Sequence, residues 1–314
     1  MPNIKVVCTS TGCLEYGPRK DSILRDIDII RIHMNFMGKE YLEGQGFEPQ
    51  DFYEQMENIK DIKGNLPHTA IPTYEEIAAV FDKAISEGYE KMIVIALSSY
   101  LGGTWNQIRL VAKDYQSKIQ IVVVDAKITC YSEGLLAIKA LMLAKQGKDI
   151  PEILQEIEWI KQRQEFIGVA GRLDYMILNG RLKGGKAYLG KLMSICPVIQ
   201  FNHEGELAPM ANAIGVVNAL KKAQLTLKQI IGDRDPKDYL LMRGYTGESL
   251  RAKQKILEEQ TGLNPNYVDV IFSCVTGIHI GPWVVGYMYF PIRRDDEALP
   301  PVPDYYYQQL GIAK

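Results

Sequence analysis

Residues 92–125 read MIVIALSSYLGGTWNQIRLVAKDYQSKIQIVVVD, and this stretch decides the architecture. Its two apolar ends, 92–97 and 119–124, are unbroken and β-branched, the pattern of strands buried on both faces of a parallel sheet. The segment 104–117 between them is long enough for the crossover helix that parallel strands require. Upstream, residues 4–8 (IKVVC) repeat the strand pattern. Thr73 and Glu76 have capping-box spacing ahead of Ile77, Val80, Phe81, Ala84 and Ile85 at helical intervals, and Gly88 ends that run. Downstream, 132–147 and 151–163 read as helices, the second with Pro151 in its first turn. Strands alternating with helices predict a parallel α/β layer.

The second half changes character. Residues 198–201, a His203-Glu204-Gly205 turn and 206–212 read as a hairpin, followed by a helix at 216–231. A strand at 239–243, a helix at 248–261 and strands at 268–275 and 284–290 complete it. The expected fold class is α/β: a parallel-sheet N-terminal α/β domain (1–165) packed on a second, α+β domain (166–293). The segment 294–314, RDDEALPPVPDYYYQQLGIAK, is rich in proline and tyrosine without a period and is expected to be an extended tail.

Composition narrows the function. The 314 residues carry 36 Lys and Arg against 38 Asp and Glu, a net charge of −2. There is no basic excess for binding nucleic acid or an anionic membrane through bulk charge. Cys8, Cys13, Cys130, Cys196 and Cys274 are dispersed, as expected of buried thiols in a reducing, cytoplasmic setting. No apolar run is long enough for a transmembrane helix, and 1–12 lack the pattern of a secretory leader. His33, His68, His203 and His279 are too scattered for a local metal site, so no metal is expected. Gly180 to Lys186 satisfies G-x-x-x-x-G-K, but Ala187 stands where a nucleotide site needs Ser or Thr for magnesium.

Ligands of open parallel sheets bind at the carboxyl ends of the strands. Here those ends read Thr9-Ser10-Thr11-Gly12, then Ser98 to Thr104, then Asp125. Hydroxyls and glycines before a helix suit a bound carboxylate or phosphate, and they are equally ordinary turn residues. No His, Lys or paired acids stand there to transform a ligand, so no catalytic residue is assigned and no cofactor is expected. His279, in Gly277-Ile278-His279-Ile280-Gly281-Pro282, reads as a hydrogen-bonded structural residue or a functional one. Arg181 reads as a solvated or capping arginine.

Seven segments, in order, resemble the DegV family of bacterial lipid-binding proteins across about residues 4–291. Thr9-Ser10-Thr11-Gly12-Cys13 resembles the family's T-D-S-x-C opening. Phe36 to Gly44 and Asp51-Phe52-Tyr53 resemble F-G-x-E-Y-x-D-G and E-F-Y, and His68 to Thr73 resembles K-T-S-Q-P-S. Ser98 to Trp105 is similar to S-S-x-L-S-G-T-Y, Leu173 to Leu182 to L-x-Y-L-x-x-G-G-R-I, and Gly277 to Pro282 to G-x-H-x-G-P-G. The resemblance implies a long-chain fatty acid in a tunnel between two domains, its carboxylate presented to a separate fatty acid kinase for phospholipid synthesis. By position it implies Thr69, Gly102, Gly103, His279 and Arg181 around that carboxylate. Met34, Met37, Met176, Met193, Ile195 and Phe201 are the expected tunnel residues, since methionine adapts to flexible chains.

The sequence departs from the family pattern at the head of the implied site. Gly102 and Ala70 replace serines, Ser10 and Ala126 stand where Asp and Ser are usual, and Trp283 fills a glycine position, where it is expected to reshape the cavity. Two other readings therefore stand beside the carrier: an enzyme on a small acid or phosphate using His279 as base, and a family member whose lipid ligand is lost or changed.

Overall fold

The computed structural model describes residues 4–18, 20–185, 195–261 and 267–311. Its first half runs β1 (Ile4–Thr9), α1 (Lys20–Ile23), β2 (Ile27–Ile30), β3 (His33–Phe36), β4 (Lys39–Leu42), α2 (Pro49–Glu57), β5 (His68–Ala70) and α3 (Tyr74–Ser86), then β6 (Lys91–Ala96), α4 (Thr104–Asp114), β7 (Gln120–Asp125), α5 (Cys130–Lys145) and α6 (Ile150–Lys161). The second half runs β8 (Glu165–Ala170), α7 (Asp174–Leu178), β9 (Ile195–Phe201), β10 (Leu207–Ile214), α8 (Val216–Ile231) and β11 (Tyr239–Tyr245). It closes with α9 (Glu248–Thr261), β12 (Val268–Ile271), α10 (Cys274–Ile280), β13 (Val284–Pro291) and α11 (Asp304–Leu310).

The three expected strands β1, β6 and β7 form a parallel sheet together with β2, which the sequence did not reveal, in the order β2-β1-β6-β7. Its two-sided burial is visible residue by residue. Val7, Val94 and Val123 pack under α3 and α4 with Ile77, Phe81 and Ile108. Their neighbours Val6, Ile93, Ile95 and Val124 pack on the other face with Leu136 and Ala140 of α5. Each such buried Val or Ile stabilises the fold by about 1.5–3 kcal/mol. The Thr73 and Glu76 capping box is complete, with side-chain to backbone bonds in both directions.

The second sheet is mixed, in the order β10-β9-β8-β13-β11-β12, antiparallel except for the β11–β12 pair. Helices α8 and α9 cover one face through Leu220, Leu227, Leu250 and Leu257. On the other face Phe166, Ile199, Met288 and Phe290 join the cluster that contains α5, so the two sheets share a core. A small antiparallel sheet, β4-β3-β5, is inserted between β2 and α3. Its strands of three and four residues are too short to show a two-residue period in the sequence.

Two expectations are corrected. The strand expected at 268–275 ends at Ile271, and Cys274–Ile280 is helical. Ser273 starts that helix by accepting from the Thr276 N–H at 3.2 Å, and Gly281, at φ 82°, ends it. The tail expected to be extended carries α11 instead. Tyr306 is fully buried on it and donates to Glu158 Oε1 at 2.9 Å, while Gln309 pairs its amide with both backbone groups of Val123 on the edge strand β7. A helix of seven residues is too short for its period to be read beside a proline-rich run.

Candidate functional site

The carboxyl ends of β1 and β6, the small sheet and α10 meet around a cavity of about 120 Å³. That is several times the roughly 10–15 Å³ needed for one water. All five residues expected at the head of the site line it: Thr69, Gly102, Gly103, Arg181 and His279. Ala70, the small replacement beside Thr69, is also on the wall.

Thr69 Oγ1 lies 3.0 Å from His279 Nε2, linking β5 to α10. His279 Nδ1 is buried and has no partner among the described residues. Burial and the nearby Arg181 guanidinium hold the imidazole down to about 3, so it is neutral at ordinary pH. In the tautomer protonated on Nε2, the ring donates to Thr69 and leaves the threonine proton free for a ligand. Arg181 spends Nε on the Leu101 carbonyl at 2.7 Å and Nη1 on the Asn179 carbonyl at 2.6 Å. Asn179 Nδ2 in turn donates to the Ile278 carbonyl at 3.0 Å, tying this turn to α10.

Gly103 is the residue before α4 and makes no side-chain cap, so the first-turn N–H groups of that eleven-residue helix have no side-chain acceptor there. Unsatisfied N–H groups and the helix dipole favour an anion at this end. A Cβ built on Gly102 would meet nothing within 4 Å. Glu43, fully buried, secures α10 from behind by accepting from the Cys274 N–H at 3.3 Å, the Val275 N–H at 2.6 Å and the Tyr16 hydroxyl at 2.5 Å. Burial pushes its carboxyl up to about 7.

The apolar wall differs from expectation. Phe201 lines the cavity, with Ile32, Ile71, Leu97, Leu101, Leu207, Val275 and Ile280. Met34 and Met176 are fully packed in the core and are not on the wall. Met37 is 65% exposed at the β3–β4 turn, with φ 51°. Ile195 is half-buried where β9 begins, paired with Ile214. Met193 lies outside the described residues, as does Lys186 of the glycine-rich run. Flexibility suits methionine to cores as well as to ligands, which is why composition alone misplaced these residues. Trp283 is also off the wall: the Arg172 guanidinium lies 4.5 Å from its ring and Tyr175 packs at 6.3 Å.

Sequence reasoning singled out Thr11 among the strand-end hydroxyls but missed Thr129 and Glu133. Thr11 and Thr129 line the cavity, and behind them lies Glu133 of α5, fully buried. A glycine explains the approach: a Cβ on Gly134 would stand 2.3 Å from the Gly12 carbonyl, so only glycine lets α5 sit against the turn after β1. Asp125, the carboxylate singled out at the strand ends, serves the backbone instead. It accepts from Ser99 Oγ at 2.6 Å and the Lys127 N–H at 2.9 Å. Among the described residues no group of His, Cys, Asp or Glu could hold a metal ion, and no helix is long and apolar enough to cross a membrane.

The fold and site define an α/β protein, a parallel sheet and a mixed sheet with a small third one inserted, enclosing a cavity of polar and mainly apolar walls. Residues 3–292 match the family model described as "Uncharacterised protein, DegV family", and the chain belongs to that family. A DegV domain-containing protein of Clostridium acetobutylicum is 25% identical over 293 residues, covering 92% of this chain and 99% of its own. One from Clostridium perfringens is 27% identical over 287 residues, covering 91% and 98%. Among solved structures, a fatty acid binding DegV family protein of Streptococcus agalactiae matches at TM-score 0.82 and 24% identity, covering 93% of this chain and 100% of that one. A stearic acid-binding protein of Eubacterium ventriosum matches at TM-score 0.76 and 19% identity, covering 92% and 98%. The family match stops before α11, which lies beyond it.

Proposed function

We propose that this protein binds one long-chain fatty acid, with its carboxylate among Thr69, Gly102, Gly103, Arg181 and His279, and presents it to a separate fatty acid kinase. One observation supports the reading: Thr69, the Gly102-Gly103 pair, Arg181 and His279, from four separate parts of the sequence, line one cavity, with Thr69 bonded to His279 and Arg181 to the Leu101 carbonyl and with most other lining residues apolar. The fatty acids bound by the Streptococcus and Eubacterium relatives support the ligand class.

Magnitudes favour a tail-driven site. Burying an acyl chain yields about 0.8 kcal/mol per methylene, on the order of 10 kcal/mol gross for sixteen carbons. A missing hydroxyl donor at Gly102 costs about 1–3 kcal/mol, and less where the α4 N–H groups replace it. Headgroup affinity is therefore reduced and tail affinity kept.

A non-catalytic role follows from the same geometry. An imidazole whose conjugate acid titrates at about 3 is too weak a base for proton abstraction near neutral pH. All five cysteines are buried and free, which fits a cytoplasmic setting.

Titration of delipidated protein with palmitate and with methyl palmitate tests the site. One equivalent of palmitate, bound at least tenfold more tightly than the ester, is the expected result; no binding, or equal affinity, contradicts it. The hand-off is tested by a kinase assay in which acyl phosphate is expected to form only from palmitate carried on this protein.

A further inference from the structure

Among the described residues, Glu133 has no cation to answer its charge. Its partners are neutral donors: Thr11 Oγ1 at 2.8 Å, Thr129 Oγ1 at 3.4 Å, Cys8 Sγ at 3.7 Å, and Thr9 Oγ1 in a closer contact. A buried, unpaired carboxylate holds its proton more tightly than an exposed one. Burial pushes this carboxyl up to about 8.

Donor arithmetic at Thr9 and Thr11 gives the proton a consequence. A hydroxyl has one proton and two lone pairs. Thr9 Oγ1 accepts from the Leu97 N–H at 3.2 Å and lies 3.0 Å from Thr11 Oγ1. With Glu133 ionised, Thr9 and Thr11 both donate inward to it, and Thr11 turns lone pairs toward the cavity it lines. With Glu133 protonated on Oε2, its O–H donates to Thr11, Thr9 still donates to Oε1, and the Thr11 proton is freed for a ligand in the cavity. The first state repels an anion and the second receives it.

We propose that Glu133 is a positioning residue whose protonation reverses the Glu133–Thr11 hydrogen bond, coupling carboxylate binding in the cavity to a proton held on Glu133. This rests on the fatty-acid reading of the same cavity. The other titratable groups near Glu133 are few. Cys8 on β1 and Cys13 after it are thiols held well above their usual range by burial. Cys130 precedes Glu133 on α5, and α6, β6 and β13 contribute apolar side chains such as Ile157, Ile95 and Met288 to the cluster around that helix. Lys139 of α5 is paired with Glu156 of α6 at 3.3 Å. Across the cavity stand neutral His279 and the cation Arg181.

Calorimetric titration of sodium palmitate into the delipidated full-length protein, in buffers of different ionisation enthalpy, counts the protons taken up. Near zero at about pH 7 and approaching one at about pH 9 is expected, with Kd rising up to about tenfold per pH unit above the Glu133 titration. Glu133→Gln can keep a permanent amide donor to Thr11, so its palmitate affinity is expected to be level from about pH 7 to about pH 9, without proton uptake. An infrared carbonyl band of a neutral carboxyl, present in the free protein at about pH 7 and missing from Glu133→Gln, is the expected direct signature. The same pH slope in wild type and Glu133→Gln, or no such band, overturns the coupling while leaving the carrier reading in place. No palmitate binding at either pH overturns both.

Discussion

Thr69 Oγ1 and His279 Nε2 meet at 3.0 Å across 210 positions of sequence. One residue belongs to the three-residue strand β5 of the inserted sheet, the other to the short helix α10. Neither element is stable alone, so the pair exists only because the small sheet and the helix are clamped together. Glu43 does part of that clamping: it lies just beyond β4 of the small sheet and binds the first N–H groups of α10. The polar pole of the cavity is therefore built by tertiary structure and not by a local motif.

Removing the hydroxyl of that pair isolates its role. Thr69→Val is nearly isosteric and is expected to weaken palmitate binding by about 1–3 kcal/mol, roughly fivefold to 150-fold, with little change in melting temperature. Calorimetric titration checks this. Unchanged affinity in a folded variant places the headgroup elsewhere.

Gly102→Ser restores a hydroxyl where a side chain has open space. A donor beside the first turn of α4 is expected to tighten palmitate binding by about 0.5–1.5 kcal/mol. Competition against a fluorescent fatty acid measures it, and equal or weaker binding contradicts the placement of the carboxylate at this loop.

Stability is expected to fall as pH rises through the neutral range. Burial raises Glu133 from 4.5 to about 8 and Glu43 from 4.5 to about 7. Between those limits the unfolded chain has lost protons that the folded one keeps, so the unfolded state gains with pH, by up to about 1.4 kcal/mol per unit for each group. Asp269, lowered to about 2 by Arg243 and Arg251 despite its burial, contributes the opposite slope only in acid, and His279, held down to about 3, contributes it up to about pH 6.5. Urea unfolding at about pH 6.5 and about pH 8 therefore reads the difference. Glu133→Gln is expected to reduce the slope, and an unchanged slope contradicts a neutral buried Glu133.

Deleting the chain after Arg293 tests what α11 does. Tyr306 and Leu310 lose their burial, which costs about 3–6 kcal/mol gross at the usual rate for two large side chains. The edge strand β7 also loses the Gln309 amide that covers Val123. A lower melting temperature and concentration-dependent self-association are expected, since bare strand edges pair with other chains. A monomer with unchanged melting would show that the tail is decoration.

The sequence was most legible where one residue pattern had one structural solution. Continuous runs such as Val6-Val7-Cys8 and Val122-Val123-Val124 had no other place than a two-sided sheet, and Thr73 with Glu76 marked their helix by capping chemistry. The small sheet was hidden because His68, Thr69 and Ala70 make too short a strand to carry a period. Glu133 was hidden because α5 is apolar nearly all round, and a single acid on such a helix reads as its solvent face until the fold buries it. The residues of the polar pole came from the ordered family resemblance, which places Thr69, Arg181 and His279 without explaining them. The tunnel methionines had only side-chain softness behind them, and three-dimensional packing sent Met34 and Met176 to the core and Met37 to a turn.

Native mass spectrometry of freshly purified protein, followed by organic extraction of whatever mass it carries, tests the carrier reading most directly. One fatty acid per chain, lost on extraction and regained on incubation with palmitate, is the predicted result. A clean apo mass that stays unchanged across a panel of fatty acids would contradict it.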